Sequence, residues 1–183
     1  MRGASGAPLG VSEASSLPPT VIRKARAGDI PGLLKLINSY AAKGVMLPRT
    51  EFELVENLRD FAVACDAGEL LGCGALHFYT AAMGEIRSLA VEPAAQRRGL
   101  GRALVAALEQ EACEFGLEAV FAFTYIPGFF GKLGYSEVDR GELPLKAWKD
   151  CLRCPKFQCC DEIAVVKRLA GRGCTTEGSV AIR

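Results

Sequence analysis

The sequence predicts a mixed α/β fold in which helices cover both faces of a single sheet. Apolar residues make up 50% of the 183-residue chain, which is enough to build a sizeable core. Strand-like and helix-like segments follow one another in the order β-α-α-β-β-β-α-β-α-β. The three consecutive strands favour antiparallel pairing, whereas the β-α-β unit after them favours one parallel pair. We therefore expect a mixed, mostly antiparallel sheet.

The first half of the chain supplies two helices and a hairpin. After a short strand at "TVIRKA", Asp29 is expected to cap a helix that ends at Gly44. Thr50 and Glu53 form a capping-box pattern before a second helix, whose apolar face is expected to reach Phe61. The strands "FAVAC" and "LLGCGALHFYT" flank "DAGE", whose residues are typical of a tight hairpin turn.

The second half supplies the β-α-β unit and the last strand. "EIRSLAVEP" predicts a long strand ended by Pro93, and a helix is expected from Gly99 to Phe115. "AVFAFTY" predicts a buried strand and is followed by a short helix at Phe129–Leu133. "EIAVVKRL" predicts the final strand.

Charge and cysteine content limit the classes of function. The formal net charge is +1, which favours neither nucleic acid nor an anionic membrane, and no apolar run is long enough to span a bilayer. Residues 1–19 predict a disordered leader and residues 170–183 a disordered tail. Between them we expect one domain, residues 20–169, with a Cys-rich insertion at 142–161. Eight cysteines without a secretory signal indicate a reducing, cytoplasmic location. The sequence also allows a homodimer.

The stretch "QRRGLGRAL", residues 96–104, predicts an anion site where a strand gives way to a helix. The first N–H groups of a helix have no intrahelical acceptor, and the helix dipole adds partial positive charge there. Gly99 and Gly101 keep side chains away from this backbone, while Arg97, Arg98 and Arg102 add charge. The pattern is neither a P-loop nor a dinucleotide fingerprint. A pyrophosphate is the natural ligand; a solvated basic helix start is the alternative.

The motif Gln96-x-x-Gly99-x-Gly101 after "LAV" resembles the acetyl-CoA motif of the GNAT N-acetyltransferase superfamily, and the element order over residues 20–169 matches it. The resemblance implies the GNAT acyl-CoA N-acyltransferase fold, with a sheet splayed at the acetyl-CoA site. It implies acetyl-CoA as co-substrate, with the pyrophosphate on the start of the helix and the pantetheine arm along the preceding strand. The cofactor-binding residues that it implies are Leu89, Ala90, Val91, Arg97, Arg98, Gly99, Leu100, Gly101 and Arg102.

Three stretches extend the resemblance to N-acetylglutamate synthases. "KGVMLPRTEFEL" and "GEIRSLAV" resemble that family, and "LPLKAWKDCLRCPKF" resembles its short, single-domain bacterial members. This implies acetyl transfer to the α-amino group of L-glutamate, giving N-acetyl-L-glutamate, the first step of arginine biosynthesis. Each carboxylate of glutamate needs a fixed cation or a pair of N–H donors. The candidates are Arg49, Arg87 and Ser88, with Lys146 as a weaker one.

The reaction requires proton transfer, so the candidate catalytic residues are those that can accept or donate a proton. The attacking amine must lose a proton, and we expect Glu85 or, less favoured, Tyr125 to accept it directly or through a water. His77 is expected to be a packed or half-exposed strand residue instead. Many GNAT enzymes place a tyrosine in the short helix after the splayed strand, where it protonates the departing thiolate. Phe129 and Phe130 stand there in this chain, so water or Tyr125 would have to serve.

The cysteine cluster leaves three interpretations open. Cys151-x-x-Cys154, followed by Cys159 and Cys160, has metal-like spacing only in its first pair. We expect reduced, packed thiols and no metal. A structural zinc and a redox-sensitive disulfide are the alternatives.

Two other functions fit the same motifs. One is a GNAT enzyme that acetylates a different small amine or a protein N-terminus, because a fold does not fix its substrate. The other is a non-catalytic acyl-CoA-binding regulator, which the absence of a tyrosine near Phe130 would permit.

Overall fold

The chain folds around a seven-stranded sheet. The structure is a computed structural model that describes residues 20–144, 152, 154 and 156–170. The strands are β1 (Val21–Lys24), β2 (Phe61–Asp66), β3 (Glu69–Phe78), β4 (Met83–Val91), β5 (Ala119–Thr124), β6 (Ser136–Val138) and β7 (Ile163–Arg168). Their order in the sheet is β1-β2-β3-β4-β5-β7-β6.

The pairing of the strands confirms the predicted mixed sheet. All neighbours pair antiparallel except β4 and β5, which the β-α-β unit joins in parallel. The sequence did not predict β6, a three-residue edge strand that pairs only with β7. So short a segment has no hydrophobic alternation by which to recognise it.

In the part of the chain that the structure describes, four α-helices flank the sheet, in agreement with the mixed α/β prediction. They are α1 (Ile30–Ala41), α2 (Glu51–Glu56), α3 (Leu100–Glu114) and α4 (Pro127–Gly131). On one face, Leu104 and Leu108 of α3 pack on Val120 and Val165. On the other face, α1 and α2 cover the first half of the sheet through a second core cluster that includes Leu33. In the described part of the chain, no helix is long and apolar enough to cross a membrane.

The capping chemistry is partly as expected. The Thr50 hydroxyl accepts the Glu53 N–H, and Glu53 in turn accepts the Thr50 N–H at 2.9 Å, which confirms the capping box. Asp29 is the N-cap residue of α1, as predicted, but its side chain makes no capping hydrogen bond to that helix. Its carboxylate instead accepts the N–H of Arg26 and pairs with Arg23, which stabilises the turn before α1.

The expected length of the second helix was also wrong. α2 ends at Glu56, and Phe61 begins β2, where it is 3% exposed. Its apolar side chain satisfied the helical spacing, but the antiparallel pairing with β3 determined its structure. The hairpin is as predicted, since Ala67 and Gly68 both have positive φ in a two-residue turn between β2 and β3.

The buried and the exposed cysteines should differ in their reactivity. Cys73 is fully buried in β3, and burial raises the pKa of its thiol to about 12, whereas Cys159 is exposed. We expect iodoacetamide at pH 8 to modify Cys159 within minutes and to spare Cys73 in the folded protein, because the thiolate is the reactive form. Peptide mass spectrometry before and after unfolding in guanidinium chloride measures both rates. Equal rates in the folded protein would contradict the packing described here.

Candidate active site

The parallel strands β4 and β5 separate to form the main cavity. They pair only at Met83–Glu85, opposite Ala119–Phe121. Beyond Glu85, β4 continues to Val91 while remaining paired with β3 on its other side. The described part of the chain places no strand against the β5-facing edge of this second half. The splay that the GNAT resemblance implied is therefore present, and the cavity at it measures about 1240 Å³.

A bulge turns the backbone of β4 at the same point. The register with β3 shifts between Cys73 and Ala75, and Ser88 has φ +52°. A non-glycine residue with positive φ is uncommon and is often found at functional sites. The Ser88 carbonyl accepts the Cys73 thiol at 3.4 Å, which holds the bulge from beneath. The bulge directs the backbone of Ser88 and Leu89 along the cavity wall.

The anion cradle, residues 96–102, comprises the end of the connection from β4 and the first residues of α3. Gly99 is the N-cap of α3, with φ +80°, and Arg97 also has positive φ, at +63°. The Ala103 N–H donates to the Gly99 carbonyl at 3.0 Å, the first bond of the helix. The backbone amides of Leu100 and Gly101 precede that bond and therefore have no intrahelical acceptor. This arrangement is suited to binding a phosphate group.

The predicted cofactor residues divide into two groups. Eight of the nine line the cavity: Leu89, Ala90, Val91, Arg97, Gly99, Leu100, Gly101 and Arg102. The side chain of Arg98 instead reaches Asp66 at 3.4 Å and the Thr20 hydroxyl at 3.5 Å. Arg98 can contribute its backbone to the cradle, but its guanidinium pairs with Asp66 at the end of β2.

Tyr40 and Gln96 fix the cradle in a way that the sequence did not predict. The Tyr40 hydroxyl donates to the Val91 carbonyl at 2.6 Å and accepts from the Gln96 amide at 2.8 Å. Tyr40 was recognised only as part of the apolar face of α1. A tyrosine on such a face is usually a packing residue, and nothing local predicts its partner 51 positions away.

Phe129 and Phe130 lie where the resemblance placed them. Phe130 is 3% exposed and packs edge-on against Phe129 and Tyr135. Both phenylalanines line the cavity, and the Phe129 ring would be 3.5 Å from a Cβ added at Gly101. The two rings therefore shape the cavity beside the cradle and supply no proton.

We call the part of the cavity lined by Arg49, Arg87, Tyr125 and Glu162 the acceptor end, because it contains the two predicted substrate arginines. Arg49 and Arg87 both line the main cavity, and both also line a smaller recess beside it. The Asn38 side chain donates to the Arg49 carbonyl and accepts its N–H, each at 2.9 Å. Arg87 is positioned by Asn57 at 3.4 Å and by the Asp60 carboxylate at 3.6 Å. Two arginines 38 positions apart in sequence thus face one space.

The two predicted catalytic residues also line the cavity. Glu85 is 8% exposed and lies where β4 and β5 begin to separate. The Tyr125 hydroxyl accepts from the Lys156 ammonium at 3.2 Å, and burial raises the pKa of Tyr125 above its usual value. Tyr125 is consequently a neutral proton donor near pH 7. His77 is a half-buried strand residue, as expected, and its Nδ1 lies 2.6 Å from Asp60.

Three described residues of the Cys-rich insertion line the cavity: Cys154, Lys156 and Cys160. Glu162, which follows the insertion, lines it as well, and Arg140 donates to the carbonyls of Cys160 and Glu162. Within the described residues, no group of three His, Cys, Asp or Glu side chains is placed to hold a metal ion. Cys151 and Lys146 lie outside the described residues. Cys154, Cys159 and Cys160 are free thiols.

The cavity is strongly cationic although the whole chain is nearly neutral. Its described lining contains two acidic residues, Glu85 and Glu162, against seven basic ones. The basic residues are Arg49, Arg87, Arg97, Arg102, Lys132, Arg140 and Lys156. Such a concentration of positive charge attracts anions to both the cradle and the acceptor end. The cavity also exceeds the usual volume of a single small-ligand site.

Comparison with known proteins supports this geometry. The profile of the acetyltransferase (GNAT) family matches residues 35–135, more than half of the chain. The chain belongs to the GNAT acetyltransferase family. It is an acetyl-CoA-dependent N-acetyltransferase, and the cradle fits the pyrophosphate of that co-substrate.

Three similar proteins show which members of the GNAT family this chain resembles. An uncharacterized N-acetyltransferase of Chlorobaculum tepidum is 43% identical over 82% of this chain and 97% of its own length. An amino-acid acetyltransferase of Mycobacterium tuberculosis is 38% identical over 65% of this chain and 70% of its own length. The structure of N-acetylglutamate synthase from Neisseria gonorrhoeae, complexed with coenzyme A and N-acetyl-glutamate, is 31% identical with a TM-score of 0.77. That match covers 84% of this chain and 36% of the longer Neisseria chain.

Proposed function

We propose that this GNAT enzyme transfers the acetyl group of acetyl-CoA to the α-amino group of L-glutamate, giving N-acetyl-L-glutamate. The observation that carries the proposal is the meeting of Arg49 and Arg87 at the acceptor end of the cavity. A dicarboxylate requires two such cationic positions, whereas a neutral amino acid requires one. The names of the amino-acid acetyltransferase and N-acetylglutamate synthase relatives point to the same class of acceptor.

Each predicted residue then has a role. The amides of the cradle bind the pyrophosphate, and the open edge of β4 from Leu89 to Val91 binds the pantetheine arm. Arg49 and Arg87 bind the two carboxylates of glutamate, assisted by Ser88. Most of the rate acceleration comes from positioning the amine against the thioester and from backbone donors on β4 that polarise its carbonyl.

Proton transfer involves Glu85 and Tyr125 in this proposal. Glu85 is the carboxylate nearest the point of separation, where it can accept a proton through a water. Tyr125 supplies the hydroxyl that Phe129 and Phe130 cannot. Because its pKa is raised, the hydroxyl stays protonated and can donate to the departing thiolate.

A panel of acceptors tests the proposal. Release of coenzyme A thiol is measured with acetyl-CoA and L-glutamate, L-glutamine, L-aspartate, glycine, spermidine or a peptide N-terminus. We expect kcat/KM to be highest for glutamate, with glutamine at least tenfold lower, because loss of one charge-assisted contact costs about 1.5–3 kcal/mol. A higher value for spermidine or the peptide would contradict the acceptor assignment. Coenzyme A binding without turnover of any amine would favour a regulator.

A further inference from the structure

We propose that Glu162 is a catalytic residue that binds the ammonium group of the acceptor and receives its first proton. This inference rests on the proposed acetyl transfer to an amine, but it does not depend on which amine the enzyme prefers. It assigns to Glu162 the proton-accepting step for which the sequence had suggested Glu85. No motif in the sequence points to Glu162, which precedes β7 and follows the Cys-rich insertion.

The sheet places Glu162 at the acceptor end of the cavity. In the β5–β7 pair, Thr124 is opposite Ile163, so continuing the antiparallel register by one step places Glu162 opposite Tyr125. Side chains alternate between the two faces of a strand. Phe121, Phe123 and Tyr125 therefore share one face of β5, and Glu85 is aligned with Phe121 on β4. Glu162 thus lies on the face that lines the acceptor end, and it is among the residues that line the cavity.

Arg140 and Lys156 lie near the Glu162 carboxylate, but within the described residues neither forms an ion pair with it. In the described part of the chain, its half-buried carboxylate has the Cys160 thiol as its side-chain partner, at 3.8 Å. Arg140 donates to the backbone carbonyl of Glu162, and Lys156 pairs with Asp161 at 3.7 Å. A half-buried carboxylate is costly without a cation or a proton. The ammonium group of an amino acid can act as that cation or supply that proton.

The neighbouring charges fit that role. The arginines of the acceptor end bind carboxylates and repel an ammonium, so an amino acid needs an anion at the position of its nitrogen. Burial raises the pKa of the Glu162 carboxyl, and the Cys160 thiol and Arg140 only partly oppose this shift. A carboxylate with a raised pKa accepts a proton more readily than an ordinary one.

The reaction balances with the residues present. One ammonium proton moves to a carboxylate oxygen of Glu162, and the freed nitrogen lone pair forms the N–C bond with the acetyl carbonyl carbon. The C–S bond breaks with its electron pair on sulfur, which takes the proton of the Tyr125 hydroxyl. A second proton from the nitrogen then restores Tyr125. The products are the amide, the free thiol and a protonated Glu162, which later loses its proton to water.

Glu162→Gln tests the assignment, with Glu137→Gln as the matched control. Glu137 is an exposed carboxylate on β6 and does not line the cavity. We expect Glu162→Gln to lower kcat/KM for the acceptor about 100-fold at pH 7, the usual contribution of a general base. The deficit should shrink as pH approaches the pKa of the substrate amine, because the neutral amine needs no base. Below that pH, kcat/KM of the variant should fall in proportion to the neutral amine, without the inflection that Glu162 gives the wild type at low pH. Glu137→Gln should change kcat/KM by no more than about twofold and leave the pH profile unchanged.

Further measurements distinguish a folding defect in Glu162→Gln from the loss of a catalytic group. Coenzyme A affinity unchanged in Glu162→Gln shows an intact fold, and Glu162→Asp should recover part of the activity. L-Glutamate should bind the variant more weakly, whereas glutarate, which lacks the ammonium group, should bind it as tightly as the wild type. The proposal would be overturned if Glu162→Gln kept the wild-type activity and pH profile. It would also be overturned if Glu85→Gln, and not Glu162→Gln, lost the activity and the pH dependence. Acetylation of another amine in preference to glutamate would overturn only the acceptor assignment. The wild type and Glu162→Gln would then be compared with that amine as the substrate.

Discussion

A Gly101→Glu variant will lose at least about 100-fold in affinity for coenzyme A while remaining folded. Gly101 lies in the first turn of α3 and lines the cavity, and a Cβ added there would be in ordinary van der Waals contact with the Phe129 ring at 3.5 Å. A carboxylate there competes with the phosphates for the same backbone amides and repels them. Loss of two charge-assisted hydrogen bonds at about 1.5 kcal/mol each gives this magnitude.

The same substitution should not weaken the helix. An acidic side chain in the first turn of a helix interacts favourably with its dipole, by about 0.3–1 kcal/mol. Isothermal titration calorimetry with coenzyme A and thermal unfolding are the two measurements. Gly101→Ala controls for the added Cβ, and Gly28→Glu, at an exposed position with nothing within 4 Å, controls for the added charge. Unchanged affinity in Gly101→Glu would mean that the phosphates bind elsewhere.

Replacing the two acceptor arginines should reduce glutamate turnover without affecting coenzyme A. We expect Arg49→Ala and Arg87→Ala each to lower kcat/KM for glutamate by about 10- to 150-fold, the equivalent of 1.5–3 kcal/mol for a charge-assisted contact. The arginine that binds the side-chain carboxylate of glutamate can also be identified. Its variant should discriminate less between glutamate and glutamine, because only that contact distinguishes the two substrates.

Fold and charge need separate controls in this experiment. Arg59→Ala removes an exposed arginine from the turn before β2 and should leave every kinetic constant within about twofold. Arg87→Lys keeps the charge but loses the planar fork, so it should retain only part of the activity. If both alanine variants keep the wild-type preference for glutamate, neither arginine binds the acceptor.

Local chemistry explains why the cradle could be predicted from sequence. Gly99 and Gly101 signal a backbone that must stay uncovered, and the transition from strand to helix occurs within ten residues of Val91. All of the information lies in one short stretch. The GNAT resemblance then specified the ligand, and the splay of β4 from β5 agrees with it.

The acceptor end could be predicted only in part, because it is assembled from distant segments. Arg49 and Arg87 were selected by the chemistry of a dicarboxylate, but their proximity depends on the packing of α1 on β4, because Asn38 of α1 holds the Arg49 backbone. Glu162 and Lys156 were missed because their positions depend on the register of β7 and on the path of an insertion. Neither leaves a local signal in the sequence. Predicting the β5–β7 pairing would have brought Glu162 opposite Tyr125.

The central claim is that backbone amides of the cradle bind the pyrophosphate of the co-substrate. The most direct measurement is the backbone amide chemical shift of residues 97–102, followed by NMR during titration with coenzyme A and, separately, with pantetheine. We predict large shifts of these amides with coenzyme A and small ones with pantetheine, which carries no phosphate. Saturable binding of coenzyme A that leaves the amides of residues 97–102 unshifted would contradict the claim.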